Sequence, residues 1–291
     1  MNTGVGAGER QHSTRLRPRA WTELLLVLGL FLAYKVGRLA VDGRVGAAYD
    51  DAHLVWNLER ALRLPDEADL QHLLLQAEVL VRTANVYYAV VHFPATIAFL
   101  VFMYYFRPEH YIRFRRILAW LTATGLVIHL VFPLAPPRML GGLGLTDTAA
   151  VYGPSVYGPP QTDTLSNQYA AMPSLHVGWA LVIAAGLIHA TRTPWRWLWL
   201  AHPVLTMLVV AGTANHYWLD GIIAAVLVGV LLVATSRQEH PSPAVPVQVR
   251  RTTRRETVAE TLAAVGAALG TASVPMGPPP RVSHEAGANT Q

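Results

Sequence analysis

The 291-residue chain contains no cysteine and few charged side chains. The absence of cysteine excludes disulfides, thiolate nucleophiles and cysteine-ligated metal sites. Charged residues make up only 14% of the chain, against about 25% in ordinary soluble domains, whereas 52% of the residues are hydrophobic. A chain with so little charge is poorly suited to a water-facing surface, so the composition predicts extensive contact with lipid.

The net charge of +5 is confined to the two ends of the chain. Residues 1–19 contribute +3 and residues 237–291 contribute +2, which leaves the middle of the chain neutral. Basic ends on a neutral, apolar body are typical of membrane anchoring and orientation, and not of a nucleic-acid-binding face. We therefore expect membrane lipids, and no nucleic acid, as partners.

Six apolar segments are close to the ~20 residues that a helix needs to cross a bilayer. They cover residues 21–41, 84–106, 117–134, 174–190, 195–211 and 217–235. The sequence therefore predicts an all-α integral membrane protein, with about six transmembrane helices in one bundle over residues 20–236. Residues 1–19 are predicted to be a basic cytoplasmic segment, and residues 237–291 a disordered basic cytoplasmic tail.

The placement of arginine predicts how these helices are oriented. Arginines cluster before the first segment, between the second and third, between the fourth and fifth, and after the sixth. By the positive-inside rule both termini are cytoplasmic, and the long connections at about 42–83 and 135–173 face outward. Apolar stripes over 51–64 and 69–81 predict amphipathic helices at the outer face. The second connection is rich in Pro and Gly and is predicted to be a functional loop.

Two polar residues open the sixth apolar segment at the predicted outer face. His216 and Asp220 are four residues apart, which would place them one turn apart on the same face of a helix. A carboxylate there can fix the tautomer of the imidazole and make its other nitrogen a better nucleophile. The alternative is an interfacial histidine beside an aromatic belt of Tyr217 and Trp218, with an incidental aspartate.

A second polar cluster opens the fourth apolar segment on the same face. Ser174 follows a proline and is a predicted N-cap, and the free N–H groups of such a helix start suit a phosphate. His176, in the first turn, could donate a proton to a leaving oxygen. Arg138 is the only basic residue of the second outer connection. A capped helix with a solvated histidine is the alternative, but the shared face of the two clusters favours a phosphate site.

The two clusters resemble motifs of the membrane-bound type-two phosphatidic acid phosphatase superfamily. Residues 173–176 are similar to its Pro-Ser-x-His motif, with Leu175 where the phosphatases usually have Gly, and residues 216–220 are similar to its His-x-x-x-Asp motif. Val210 occupies the place of the arginine six residues before the motif histidine. The first phosphatase motif is absent, since Leu100 stands where a lysine should precede Arg-Pro.

These departures favour one branch of the superfamily. Residues 132–138, which read Phe-Pro-Leu-Ala-Pro-Pro-Arg, and the two histidine motifs together resemble the inositol phosphorylceramide synthase branch. Sphingomyelin synthases have a similar His-Tyr-x-x-Asp. The resemblance implies a lipid phosphatase or inositolphosphotransferase-like enzyme that acts through a phosphohistidine intermediate, without a metal or cofactor.

The resemblance also implies a role for each candidate residue. His216 would be the nucleophile, Asp220 would orient it, and His176 would be first the general acid and then the general base. Ser174 and Arg138 would bind the phosphate of a lipid or polyprenyl phosphate substrate.

Three further questions stay open at the level of sequence. Histidines in or near the spans could ligate haem; they are His92, His129, His176, His189, His202 and His216. A transporter or non-catalytic scaffold could have kept the bundle while losing the motif arginines. Within the enzyme hypothesis, attack by water gives a phosphatase and attack by an alcohol gives a transferase, and neither the acceptor nor the oligomeric state follows from the sequence.

Overall fold

The computed structural model describes residues 20–41, 44–154 and 168–236, and most of these residues are helical. The α-helices are α1 Ala20–Val41, α2 Val45–Ala61, α3 Glu67–Leu75, α4 Glu78–Val86, α5 His92–Phe106, α6 Pro108–Val131, α7 Thr148–Tyr152, α8 Leu175–Ala190, α9 Ala201–Gly212 and α10 Trp218–Ser236. A π-helical turn, Tyr87–Val91, joins α4 to α5. The predicted N-terminal segment 1–19 and the predicted tail 237–291 lie outside the described residues.

Each of the six predicted apolar segments coincides with helical structure. Among the described residues, three helices are long and apolar enough to cross a membrane: the continuous helix Glu78–Phe106, then Pro108–Val131 and Trp218–Ser236. The fourth segment forms the shorter apolar helix α8, and the fifth is divided between a 3-10 helix, Pro194–Leu200, and α9. The predicted all-α integral membrane architecture is confirmed, with shorter apolar helices packed beside the three long ones.

The helices before the first long span differ from their predicted bounds. Most of the stripe over 51–64 lies on α2, which begins earlier than predicted, at Val45, and also ends earlier, at Ala61. The prediction of one helix over 69–81 is wrong, because the backbone at Ala77 is extended, with φ −139° and ψ 118°. α3 therefore ends at Leu75, and α4 begins the helix that runs on to Phe106. An apolar stripe does not show such a break, since the same spacing can continue across two helices.

α8 packs against α5, α6, α9 and α10 and so holds the start of the candidate site in place. Glycines permit this close approach, as small residues do at many membrane helix interfaces. A Cβ atom added at Gly186 would lie 2.5 Å from the Phe99 ring of α5, and one added at Gly178 would lie 2.9 Å from Leu121 of α6. The first turn of α8, which follows Ser174, is therefore fixed by the packing of its neighbours.

Candidate active site

His216 lies in the connection between α9 and α10, and not on the face of a helix. The backbone N–H groups of Asn215 and His216 donate to the Val210 carbonyl at 2.9 and 3.1 Å, which turns the chain sharply after α9. This turn brings Nδ1 of His216 to 3.1 Å from Oδ2 of Asp220. The two residues do meet, but the predicted reason, a shared helical face, is wrong.

The hydrogen bonds of His216 fix its tautomer. Nδ1 lies 2.8 Å from the Ala171 carbonyl oxygen as well as close to Asp220. A carbonyl oxygen only accepts, so Nδ1 carries the proton and Nε2 keeps its lone pair. Burial lowers the pKa of His216 to about 4, opposed by the Ala171 hydrogen bond and assisted by the cation of Arg138. Near pH 7, His216 is therefore a neutral imidazole with a nucleophilic Nε2.

Asp220 joins the start of α10 to the start of α8. Its side chain is fully buried, and Oδ2 also accepts from the backbone N–H of Tyr217 at 2.9 Å. Its backbone carbonyl accepts from the N–H of Ser174 at 3.1 Å. The carboxylate beside His216 thus belongs to the same residue that anchors the N-cap of α8.

Ser174 and His176 reach the site from α8. Ser174 is the N-cap of this helix, as predicted, and its Oγ accepts from the N–H of Val177 at 3.4 Å. The ring of His176 stacks on Tyr88, with centroids 4.5 Å apart, and its centroid lies 5.8 Å from that of His216. The two histidines predicted to act together therefore lie next to each other in the structure.

Arg138 reaches the same site from the connection between α6 and α7. Its backbone N–H donates to the Ala214 carbonyl at 3.0 Å, and Nη1 donates to Oδ1 of Asn215 at 2.6 Å. Nε lies 3.3 Å from Oδ2 of Asp147, which is 43% exposed, whereas the Arg138 side chain is only 3% exposed. A phosphate entering the site would compete with Asp147 for this cation.

Sequence reasoning missed two carboxyl groups that cap α10. Glu59 of α2 accepts from the N–H of Leu219 at 2.7 Å, and Glu67 of α3 lies 3.4 Å from the N–H of Trp218. Both glutamate side chains are fully buried. The partners are more than 150 residues apart in the chain, so no local pattern in the sequence indicates the contact.

A small cleft adjoins His176. It is lined by Tyr87, Tyr88, Val91, His92, His176, His202, Thr206 and Val210. Part of its wall is the π-helical turn, a feature that is frequent at functional sites. The cleft lies between the long helix Glu78–Phe106, α9 and the start of α8, so helices rather than loops border it.

One wall of the cleft carries a directed chain of hydrogen bonds. Thr206 Oγ1 donates to the His202 carbonyl at 2.8 Å, which uses its one proton. Tyr87, whose hydroxyl is 2.9 Å from Thr206 Oγ1, must then donate to it, and Nδ1 of His202 must donate to Tyr87 at 2.9 Å. Nε2 of His202 is left as an acceptor on the wall of the cleft.

The rings beside His176 leave no space for a haem between them. Among the described residues, no group of three or more His, Cys, Asp or Glu side chains could hold a metal ion. The rings of His92 and His176 contact each other, with centroids 4.3 Å apart. Rings in direct contact leave no space for a porphyrin between them, so this pair cannot form a bis-histidine haem site.

Comparison with known proteins assigns the family. A family model described as the PAP2 superfamily matches residues 53–234, which is more than half of the chain and includes every candidate site residue. The inositol phosphorylceramide synthase catalytic subunit aur1 of Schizosaccharomyces pombe is 26% identical over 151 residues, covering 46% of this chain and 35% of that protein. The chain thus spans about a third of the length of this relative. No solved structure matches it significantly. The chain belongs to the PAP2 superfamily and resembles its inositol phosphorylceramide synthase branch.

Proposed function

We propose that the chain is a membrane enzyme that transfers or hydrolyses a phosphoryl or phospho-head group of a lipid through a phosphohistidine on His216. The observation that carries the proposal is the tautomer of His216, whose Nδ1 proton is held by Ala171 and Asp220 while Nε2 keeps its lone pair. Membership in a family of lipid phosphatases and phosphotransferases supports the same reaction class.

In the first half of the reaction, Nε2 of His216 attacks the phosphorus atom. The bond from phosphorus to the leaving oxygen breaks, and protonated His176 gives its proton to that oxygen. The phosphorylated imidazole keeps its Nδ1 proton and is therefore positive. The carboxylate of Asp220, 3.1 Å from Nδ1, stabilises this charge.

In the second half, water or an alcohol gives its proton to His176, now the general base. The oxygen of that acceptor bonds to phosphorus, and the electron pair of the phosphorus–nitrogen bond returns to His216. Water as the acceptor makes the enzyme a phosphatase, and an alcohol makes it a phosphotransferase.

Arg138 and the start of α8 would bind the phosphate. Arg138 is the buried cation next to His216, and Ser174 precedes the first helical turn, whose N–H groups have no carbonyl partner within the helix. Together they would replace the basic residues that the phosphatase motifs have at the positions of Val210 and Leu100.

In either case the acceptor would reach His176 from the cleft beside it. An acceptor hydroxyl placed there would be next to the proposed general base, within helices that contact lipid. The relative named as an inositol phosphorylceramide synthase supports an inositolphosphotransferase-like reaction.

In the orientation we propose, both termini are cytoplasmic and the site lies at the outer face.

The test compares His216→Ala and His176→Ala with His189→Ala, a matched control at the exposed far end of α8. Purified protein is given phosphatidic acid, phosphatidylinositol and a polyprenyl phosphate, and the products are identified by mass spectrometry. Both site variants should lose at least ~10³-fold in kcat, whereas the control should keep it. Equal product formation by the His216 variant would leave a scaffold or transporter as the better interpretation. A haem absorbance band in the purified protein would also contradict the proposal.

A further inference from the structure

The first turn of α10 is capped by carboxyl groups that come from other helices. The N–H of Leu219 donates to Oε1 of Glu59 at 2.7 Å, and the N–H of Trp218 lies 3.4 Å from Oε1 of Glu67. The first N–H groups of a helix have no partner inside it, and negative groups near them are stabilising. α2 and α3 therefore fix the start of the helix that carries Asp220.

The carboxyl groups of Glu59 and Glu67 are both fully buried and lie beside the same guanidinium nitrogen of Arg60. Oε2 of Glu59 has no hydrogen-bond partner among the described residues. Two buried carboxyl groups at one site are most stable with one proton held between them in a hydrogen bond. Nη2 of Arg60 is 3.0 Å from Oε2 of Glu67 but 3.8 Å from Oε2 of Glu59. Because the cation lies closer to Glu67, the shared proton belongs mainly to Glu59.

We propose that Glu59 and Glu67 are positioning residues, which share one proton and hold the start of α10 so that Asp220 and His216 keep the geometry for phosphoryl transfer. The effect on phosphoryl transfer rests on the proposed function, whereas the proton shared by the two glutamates is independent of it. Leu219, which Glu59 holds, is the neighbour of Asp220 in the first turn of α10.

The charges around the pair determine how it responds to pH. Besides each other, the two carboxyl groups face Arg60, Tyr217 and Asp220, and Arg60 also pairs with Asp66. Burial, and then the hydrogen bond with Glu67, raise the pKa of Glu59 from its ordinary value of 4.5 to about 9. The folded protein therefore keeps a proton that the unfolded chain releases, so this group's contribution to stability falls as the pH rises between these two values. Glutamine resembles the protonated carboxyl group and has no proton to lose.

The experiment uses the full chain in detergent, with Glu59→Gln and Glu59→Ala. Glu78→Ala is the matched control, since Glu78 is 59% exposed and pairs only with an exposed arginine. With the lipid from the panel above that turns over fastest, the Ala variant should lose roughly 10- to 100-fold in kcat, because the catalytic groups shift. The Gln variant should stay within about threefold of the unmodified protein, and the control should not change.

Two readouts separate positioning from a general loss of structure. In the Ala variant alone, the rise of kcat with pH at the acidic end should shift to higher pH. A loosened turn exposes His216 to water, and this exposure removes the burial that lowers its pKa. In the Gln variant, the infrared band of a protonated carboxyl group should decrease at pH 7, and the unfolding midpoint should depend less on pH between 5 and 9.

Three results would overturn the proposal: a kcat for Glu59→Ala equal to that of the control, equal losses for the Ala and Gln variants, or an unchanged carboxyl band in the Gln variant. If the Ala variant does not accumulate, the kcat and the infrared spectrum of the Gln variant test the proposal in its place. If no lipid in the panel reacts, the proposed function fails, while the infrared and unfolding measurements still test the shared proton.

Discussion

Replacement of Asp220 by Asn removes the charge beside His216 while keeping the shape of the side chain. The amide oxygen can take the place of Oδ2, which accepts from Tyr217 and His216. The other carboxylate oxygen, Oδ1, is buried without a hydrogen-bond partner among the described residues, so the amide nitrogen displaces no existing bond. Ala171 still holds the Nδ1 proton, so the tautomer of His216 should survive the substitution.

The expected loss follows from the charge that forms during the reaction. The phosphorylated His216 is positive, and the carboxylate lies within hydrogen-bonding distance of its ring. Two unit charges about 4 Å apart attract by about 4 kcal/mol at an effective dielectric constant of about 20. This corresponds to roughly 10³-fold in rate, since about 1.4 kcal/mol is a factor of ten. We therefore expect Asp220→Asn to lower the rate of phosphoenzyme formation by roughly 10³-fold.

The assay is a single-turnover reaction with a lipid carrying labelled phosphorus, stopped with alkali because phosphohistidine is labile in acid. Asp220→Ala should be slower than Asp220→Asn, since it also loses the hydrogen bond to the N–H of Tyr217. A rate above a tenth of the unmodified enzyme's in the Asn variant would refute the idea that Asp220 stabilises a positive charge on His216.

Three other predictions use simple variants. With a phosphodiester substrate, kcat should rise with pH through about 4, because the pKa of His216 is lowered to about 4 and only the neutral ring attacks. It should fall again at higher pH, where His176 loses the proton that it gives to the leaving oxygen. Arg138→Gln should shift the midpoint of the rise to higher pH, since the cation helps to lower the pKa of His216. A midpoint near the ordinary pKa of histidine in the unmodified enzyme would contradict the lowered pKa. Gly186→Val should lower the unfolding midpoint by roughly 3–10 °C, whereas Gly229→Val, where an added Cβ has nothing within 4 Å, should not; equal midpoints would count against the tight α5–α8 contact. Asp147→Asn should lower KM a few-fold by removing the competitor for Arg138, and an unchanged KM would argue against phosphate binding by that arginine.

The helices of the membrane domain could be predicted because their signal is local. A run of about 20 apolar residues has few folds available to it other than a helix, and each predicted segment is helical. The break at Ala77 could not be predicted, since neither Gly nor Pro marks it and the apolar stripe continues across it.

The candidate site was predictable where motif residues are near in sequence or share one membrane face. Ser174, His176 and His216 are brought together as the sidedness of the segments predicts, although their catalytic roles stay proposals. The contact between His216 and Asp220 follows from a turn stabilised by Val210, which residue spacing does not show.

The surroundings of the site depend on tertiary contacts that have no sequence signature. Glu59 and Glu67 look like ordinary polar positions of amphipathic helices, yet they are buried against α10. Tyr87 and His202 are 115 residues apart and meet only because α9 packs beside the π-helical turn. Charge and polarity in a sequence do not distinguish a solvated side chain from one that is buried with a distant partner.

The position of the phosphoryl group on the trapped intermediate decides whether His216 is the nucleophile. The full chain is mixed with a lipid that carries labelled phosphorus, quenched in alkali, digested and analysed by mass spectrometry. We expect the label to lie on His216, to be lost in acid, and to be absent from His216→Ala. Label on any other side chain, or product formed by His216→Ala at the rate of the unmodified enzyme, would contradict this role of His216.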